Sequence, residues 1–352
     1  MRDDANHGLP AYPAMGAMKH SRRYPSSTDV ARIAGVSQSA VSRTFSGGKL
    51  VSPETSRKVY EAAEKLGYSP NFLPRILLKH RSHLVAVVIS GTSNPFYARA
   101  LEEFTKALQT MELQVLLVHN DKEHSLDEIV PKLASYRIDA IVSALPVLSS
   151  DAAAAFARLK IPTISFNTPV KNKWVSSVCS DGASGGSLIA DLFVTRGART
   201  FAFVAGSEGS YASKERLQGY RSRLIEHSFI NIDILTGDFQ YQGGFNAVLE
   251  FKRRGSVPGA IFCANDLMAI GALDALRDVG LKVPEEVLVA GFDDVPEASW
   301  SGYDLTTVEQ DCKSMVAEAI ASLRTMISSN TSAGGQLKIV QGRLIERSTT
   351  RR

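Results

Sequence analysis

Apolar side chains recur at helical spacing in three short runs near the amino terminus. In Ser26-Ser27-Thr28-Asp29-Val30-Ala31-Arg32-Ile33-Ala34, positions 30, 33 and 34 are apolar. A serine stands ready to cap this run and an acid falls in its first turn. Gly35 ends it, because glycine accepts the left-handed backbone of a tight turn, and Val36 plugs the gap beneath. In Ser37-Gln38-Ser39-Ala40-Val41-Ser42-Arg43-Thr44-Phe45, Ser37 is the capping residue, and Val41 and Phe45 lie four apart on one face. Gln38, Ser39, Ser42 and Arg43 fall on the other face with no apolar residue among them. A third run opens with Ser52 and Pro53, carries Val59, Ala62, Ala63 and Leu66 as its stripe, and closes at Gly67. Helix, glycine turn, helix is the helix-turn-helix layout. Gln and Arg are the side chains best suited to bidentate contact with adenine and guanine edges. The alternative is an ordinary three-helix bundle with a polar outer face.

From residue 84 the pattern alternates between short, wholly apolar runs and longer runs of period 3.6. Strands are expected over 84–90, 113–119, 140–144, 163–166, 200–205, 232–236, 260–264 and 288–292. Helices are expected over 96–111, 126–136, 152–159, 184–195, 214–226, 243–254 and 267–279. Such strands, alternating with helices, indicate parallel sheets covered on both faces. Their number calls for two α/β subdomains. Ligands of such folds bind outside the carboxyl ends of the strands. That places Ser93, Asn94, Phe96, Asn167, Arg216, Phe239, Asn265, Asp266 and Asp293 near a pocket. Amide, carboxylate and guanidinium groups suit vicinal hydroxyls, and Phe96 and Phe239 offer flat faces to a ring. Each has a plainer reading. A loop Asn or Asp often serves only as a turn or helix cap, and Asn265-Asp266 directly precedes a helix.

Composition narrows the class. The chain has 352 residues, of which 44% are hydrophobic and 22% charged, as in soluble globular proteins. The net charge of +4 is unevenly spread: residues 1–81 carry 13 Lys+Arg against 6 Asp+Glu, and the remainder 27 against 30. A basic head on a slightly acidic body points to an anionic polymer as partner of the head. Cys179, Cys263 and Cys312 are far apart and odd in number, which suits reduced thiols in a cytoplasm. No histidine pair at helical spacing suggests a metal, and no apolar run is long enough to span a bilayer. Residues 1–25 lack the apolar core of a secretory signal and are expected to be a disordered basic arm; Met15 or Met18 are alternative starts. Gly182-Ala183-Ser184-Gly185-Gly186 fits the G-x-S-x-G spacing of a nucleophile elbow, but the only later histidine is His227. No phosphate-cradling G-x-x-x-x-G-K-[ST] loop occurs, and no cofactor is expected.

Residues 68–79 form an apolar linker that carries Arg75 and Lys79. Asn71 can cap a short helix there, with Pro74 in its first turn. Apolar wedges beside basic residues suit a DNA minor groove; the alternative is a linker packed on its own body.

The blocks Asp29-Val30-Ala31-x-x-Ala34-Gly35-Val36-Ser37, Val41-Ser42-Arg43, Val51-Ser52-x-x-Thr55-x-x-Lys58-Val59 and Leu66-Gly67-Tyr68-x-Pro70-Asn71 resemble the LacI/GalR family of bacterial transcription regulators. The likeness continues through Asn94-Pro95-Phe96-Tyr97, Glu215-Arg216-x-x-Gly219-Tyr220, Ala264-Asn265-Asp266-x-Met268-Ala269-x-Gly271, Gly291-Phe292-Asp293-Asp294 and Leu305-Thr306-Thr307-Val308. It implies a small all-α helix-turn-helix head on an α/β two-lobed, periplasmic-binding-protein-like body. The expected division is an arm over 1–25, a head over 26–69, a hinge over 70–82 and a body over 83–352. Within the body, one subdomain takes about 83–180 and 309–337, the other about 181–308 and 338–349. The resemblance further implies a cytoplasmic, nucleoid-associated homodimer on a near-palindromic DNA operator, with no enzymatic activity. Gln38, Ser39 and Arg43 would read bases, Ser37 and Ser42 would contact phosphates, and Asn71 and Leu77 would act in the hinge, Leu77 as a wedge. Asn94, Phe96, Asn167, Arg216, Phe239, Asn265, Asp293 and Gln310 would hold a sugar, sugar acid or sugar phosphate. Three positions depart from the family pattern: Ser46 stands for Asn, Pro74 for a small residue, and Asn167 for the Asp of sugar-binding members. The absence of a leucine heptad tail suggests no tetramer.

Overall fold

The computed structural model describes residues 24–45, 51–69, 82–89, 94–119, 133, 135–145, 154, 158, 160–329 and 335–351. The chain divides into two compact units, Met1–Leu78 and Lys79–Arg352. The expected hinge residues Asn71, Pro74 and Leu77, and Ser46 and Ser93, lie outside the described residues. So do the arm before Tyr24 and most of the helices expected over 126–136 and 152–159.

The first unit contains α1 (Ser27–Ala34), α2 (Gln38–Phe45) and α3 (Pro53–Leu66). Ser26 and Asp29 form a capping box at α1: Asp29 N donates to Ser26 Oγ at 3.2 Å, and Ser26 N donates to Asp29 Oδ2 at 3.0 Å. Gly35 follows at φ 65°, which turns the chain into α2. Val30, Ala31, Val41, Val59, Ala62 and Ala63 make a common core, with Val36, Phe45 and Tyr68 against it. Phe45 packs edge-on to Tyr60 and Tyr68 at 5.4 and 5.7 Å. The Val41/Phe45 face is therefore inward, and the polar face of α2 is outward.

The second unit is built on two six-stranded sheets. The first uses β1 (Leu84–Ile89), β2 (Gln114–His119), β3 (Ala140–Ala144), β4 (Thr163–Phe166), β5 (Val175–Ser180) and β11 (Leu337–Val340), in the order β11-β5-β4-β3-β1-β2, with every pairing parallel. Helices α4 (Pro95–Gln109) and α9 (Cys312–Ser329) pack together beside it. The second sheet uses β6 (Phe201–Ala205), β7 (Ile232–Thr236), β8 (Ala260–Cys263), β9 (Leu288–Asp293), β10 (Thr306–Glu309) and β12 (Arg343–Ile345), in the order β12-β10-β9-β8-β6-β7. Only the β10–β12 pairing is antiparallel. Helices α5 (Gly182–Thr195), α6 (Tyr211–Glu226), α7 (Tyr241–Arg253) and α8 (Asp266–Asp278) complete this lobe, packed as the pairs α5–α6 and α7–α8.

The chain crosses between sheets after Ser180, after Glu309 and after Val340. Two expected boundaries need correction. Glu309 belongs to the second sheet, and residues 338–340 belong to the first, through Lys338, Ile339 and Val340 paired with β5. β11 is a short, half-exposed edge strand, so no apolar run marks where it ends. β5 also escaped the pattern, because Val-Ser-Ser-Val-Cys-Ser is rich in hydroxyls although every residue is buried.

The glycines of the false elbow have a packing role. A Cβ on Gly186 would lie 2.2 Å from the Arg216 carbonyl oxygen, and one on Gly219 would lie 1.8 Å from that of Ala183. Helices α5 and α6 therefore meet backbone to backbone. Gly219→Ala should destabilise the body by about 1–3 kcal/mol, because backbone cannot give way as a flexible side chain can; urea unfolding followed by circular dichroism measures this.

Candidate functional site

The exposed face of α2 is preorganised by its own hydrogen bonds. Ser37 Oγ accepts from Ala40 N at 3.2 Å and lies 2.9 Å from Ser39 Oγ. Gln38 Nε2 donates to Ser27 Oγ at 2.9 Å, which ties the start of α2 to α1. Arg43 Nε donates to the Ser39 carbonyl at 3.2 Å. Ser37, Gln38, Ser39, Ser42 and Arg43, five of the seven residues expected to act on DNA, are all exposed and form one polar surface at this helix. Helix and side chains of this kind fit the major groove.

The second candidate site is a cleft with a cavity volume of about 220 Å³, at the carboxyl ends of strands from both sheets. Asn94, Phe96, Asn167, Arg216, Phe239, Asp293 and Gln310 all line it. Asn265 does not. It is wholly buried, its Oδ1 accepts from Met268 N at 3.0 Å to cap α8, and its Nδ2 donates to the Phe239 carbonyl at 3.2 Å. The expectation that Asn265 touches a ligand is corrected here: its capping geometry uses its oxygen, and its nitrogen holds the loop that presents Phe239.

A continuous chain of side-chain hydrogen bonds crosses the cleft. Asn167 Oδ1 accepts from Ser180 N at 3.1 Å, and its Nδ2 donates to Gln310 Oε1 at 3.0 Å. Gln310 Nε2 in turn donates to Asp293 Oδ1. From the other side, Asn94 Nδ2 donates to Asp293 Oδ2 at 3.0 Å, while Asn94 Oδ1 caps α4 through Phe96 N. Arg216 Nη2 lies 3.5 Å from Asp293 Oδ1, and its Nη1 donates to the Ala264 carbonyl. The guanidinium lies 3.7 Å above the Phe292 ring centre, a close cation–π stack. Arg216 Nε is buried and has no hydrogen-bond partner among the described residues.

Arg216 and Asp293 are 2% and 3% exposed, so each needs the other. Burial pulls the Arg216 guanidinium below its ordinary value, and Asp293 opposes this. Burial raises the Asp293 carboxyl, and Arg216, Asn94 and Gln310 oppose that. Behind them, burial together with the Asp293 charge raises the Asp266 carboxyl to about 8. Asp266 accepts from Thr307 Oγ1 at 2.6 Å and from Val295 N at 2.9 Å.

Backbone strain gathers at the same place. Asn167, Asp238, Phe239 and Asp293 have φ of 62°, 53°, 60° and 122°, a region disfavoured for residues other than glycine. Tyr97, Ser207, Ser210, Asp238 and Gln240 also line the cleft and were not foreseen. Tyr97 belongs to the block Asn94-Pro95-Phe96-Tyr97. Asp238 and Gln240 flank Phe239 after β7, where an Asp next to Gly237 looks like turn chemistry alone.

Ser184 does not form an elbow. Its Oγ donates to Asp181 Oδ2 at 2.7 Å as part of the α5 cap, and His227 Nε2 instead lies 2.7 Å from Asp191 Oδ1, two turns along that helix. Cys179, Cys263 and Cys312 are free and buried. Among the described residues no helix is long and apolar enough to cross a membrane, and no group of three His, Cys, Asp or Glu side chains could hold a metal.

Residues 28–71 match the family described as bacterial regulatory proteins, lacI family, and residues 190–350 match the periplasmic binding protein-like domain. The chain is 32% identical to the HTH-type transcriptional regulator CelR of Thermobifida fusca, over 88% of this chain and 94% of that protein. It is likewise 32% identical to the HTH-type transcriptional regulator AscG of Escherichia coli, over 91% and 96%. Its fold is similar to that of a lac repressor dimer bound to operator and the anti-inducer ONPF, with TM-score 0.83 and 26% identity over 93% of this chain and 99% of that one.

The folded chain keeps the Asp266 proton to a higher pH than the unfolded chain does. It therefore binds more protons between the ordinary carboxylic range and about pH 8, and stability falls as pH rises through that window. Asp266→Asn retains an acceptor for Val295 N and should flatten the fall in melting temperature between about pH 5 and 8; melting curves across that range test it.

Proposed function

The chain belongs to the LacI family of bacterial transcriptional regulators, and on that footing we propose that it is an effector-responsive repressor of sugar catabolism genes. It acts on chromosomal DNA in the cytoplasm and carries out no chemical step on its ligand. The observation that carries this reading is the hydrogen-bond chain across the cleft. Asn94 and Asn167, positioned by the first sheet, meet Asp293 and Gln310 at the ends of strands of the second. A small polyhydroxylated molecule between the lobes would trade hydroxyls for these amide and carboxylate contacts and set how far the lobes close. Closure and DNA affinity are then linked, so an effector that prefers one closure changes operator binding.

CelR has been solved with cellobiose, and a LacI-family regulator of Enterococcus faecium with ribose. A sugar or sugar derivative is the effector proposed here by likeness. Its role rests on Asn94, Phe96, Asn167, Arg216, Phe239, Asp293 and Gln310. On DNA, two copies bind a near-palindrome. Arg43, Gln38 and Ser39 select sequence, while Ser37 and Ser42 contact phosphates. Asn71 and Leu77 act in the hinge.

Gel-shift titrations on the promoter region of the neighbouring genes test the whole reading. Binding should weaken steeply with added salt, as counterion release requires, and at least one sugar should shift it. No salt-sensitive retention on any duplex would overturn it. Arg43→Ala should lose about 1–3 kcal/mol on the preferred site and relax base choice at one position per half-site; equal losses on all sequences would deny a base-reading role. Asp293→Asn keeps hydrogen-bonding atoms but removes the charge that answers Arg216. It should abolish the sugar response while salt-sensitive operator binding is retained, measured in the same titration, and should lower the melting temperature because Arg216 loses its buried partner.

A further inference from the structure

The charges lining the cleft do not balance. Among the described residues, Arg216, Asp293 and Asp238 are the lining residues of the Lys, Arg, His, Asp and Glu types. Arg216 is already answered by Asp293, and both Asp293 oxygens are held by the amides of Asn94 and Gln310. Asp238 is exposed, and no hydrogen bond or ion pair among the described residues involves it. The described lining of the cleft therefore presents one uncompensated negative charge, Asp238, to whatever enters.

The position of that charge matters. Asp238 stands two residues before Gln240, the N-cap of α7, whose side chain makes no capping hydrogen bond. The starts of α4 and α6 also face the cleft, but Asn94 and Ser210 cap them through Phe96 N and Ser213 N. The α7 start is thus the end with uncapped positive dipole, where an anionic ligand group would ordinarily settle. Asp238 already supplies a carboxylate there. Its loop is fixed: Gly237 N donates to the Ala205 carbonyl at 2.8 Å, Asn265 holds the Phe239 carbonyl, and the Phe239 ring lies where a Cβ on Gly206 would come within 2.1 Å. The carboxylate cannot readily swing its backbone away to admit another anion.

Resting on the effector-site reading above, we propose that this cleft takes a neutral polyhydroxylated ring and rejects the corresponding acid or phosphate, and that Asp238 is the residue that makes this choice. Hydroxyls can donate to Asp238, and the ring can lie against Phe239. A carboxylate or phosphate meets either Asp238 or an Arg216 already paired.

The test uses the full chain in calorimetric titrations with matched sets. D-glucose and D-galactose are compared with D-glucuronate, D-galacturonate and glucose 6-phosphate, D-ribose with ribose 5-phosphate, and cellobiose is added as a larger neutral sugar. At least one neutral sugar should bind, and its acid or phosphate should bind about tenfold more weakly or worse, the scale of one close like-charge contact near a protein surface. Asp238→Asn removes the charge while keeping a residue that tolerates left-handed backbone. It should weaken the neutral sugar, which loses a charged acceptor, and strengthen the anionic partner about tenfold, so that the ratio between them narrows or reverses. An anion that binds the unmodified chain as tightly as its neutral counterpart overturns the proposal, as does a panel in which no neutral sugar binds. An unchanged ratio in Asp238→Asn removes Asp238 from the role. Salt-sensitive DNA retention in the same preparation shows, in each case, that the regulator reading survives the failure.

Discussion

A buried cation and a buried carboxylate that cannot do without each other organise the body of this protein. Arg216 and Asp293 are nearly inaccessible to water, and removing either would leave an uncompensated charge in the interior. Their separation of 3.5 Å is an ion pair without a direct hydrogen bond, so other groups must complete the shell. Asn94 and Gln310 do so on the acid, and the Ala264 carbonyl and the Phe292 ring on the base. Because Asn94 follows a strand of the first sheet, and Gln310 sits in a crossing between sheets, satisfying this pair also links the two lobes. The contacts that make the charges tolerable are the contacts a ligand between the lobes must meet.

The helix packing around this pair follows from the same need. Arg216 lies early in α6, and its backbone touches α5 at Gly186 with no room for a side chain. The close approach of α5 and α6 sets where the α6 start points, and so where the guanidinium emerges. The glycine cluster at 182–186 superficially matches a hydrolase spacing, yet its serine is taken up by a helix cap. The same residues serve the binding cleft by permitting that approach.

Much of the architecture was legible because it depends on local periodicity. The stripe of Val30, Val41, Val59 and Ala62 and the polar face from Gln38 to Arg43 follow from a repeat of 3.6, and both lie as expected. The apolar strands β1 to β4 and β6 to β9 were legible because short, wholly apolar runs mark strands buried on both faces. What escaped was the serine-rich β5, the threonine-bearing β10, the edge strands β11 and β12, the long helix α9, and hence the positions of two of the crossings. In the cleft, strand-exit position located Asn94, Asn167, Phe239 and Asp293. It could not separate Asn265, whose amide is spent on a cap and a loop, from neighbours that face the cavity.

By itself, then, the sequence determined the elements, the order in which they alternate, the placement of a basic head before a slightly acidic body, and the family likeness. Those depend on residues near one another in the chain. The tertiary structure decided which polar groups are free to act and which are consumed. Asn167 meets Gln310 and Asn94 meets Asp293 across 143 and 199 residues of chain, and Asp238, at a helix start, pairs with none of the described residues. Whether a side chain's hydrogen bonds are already satisfied depends on partners that folding brings from far away, and no local spacing encodes that.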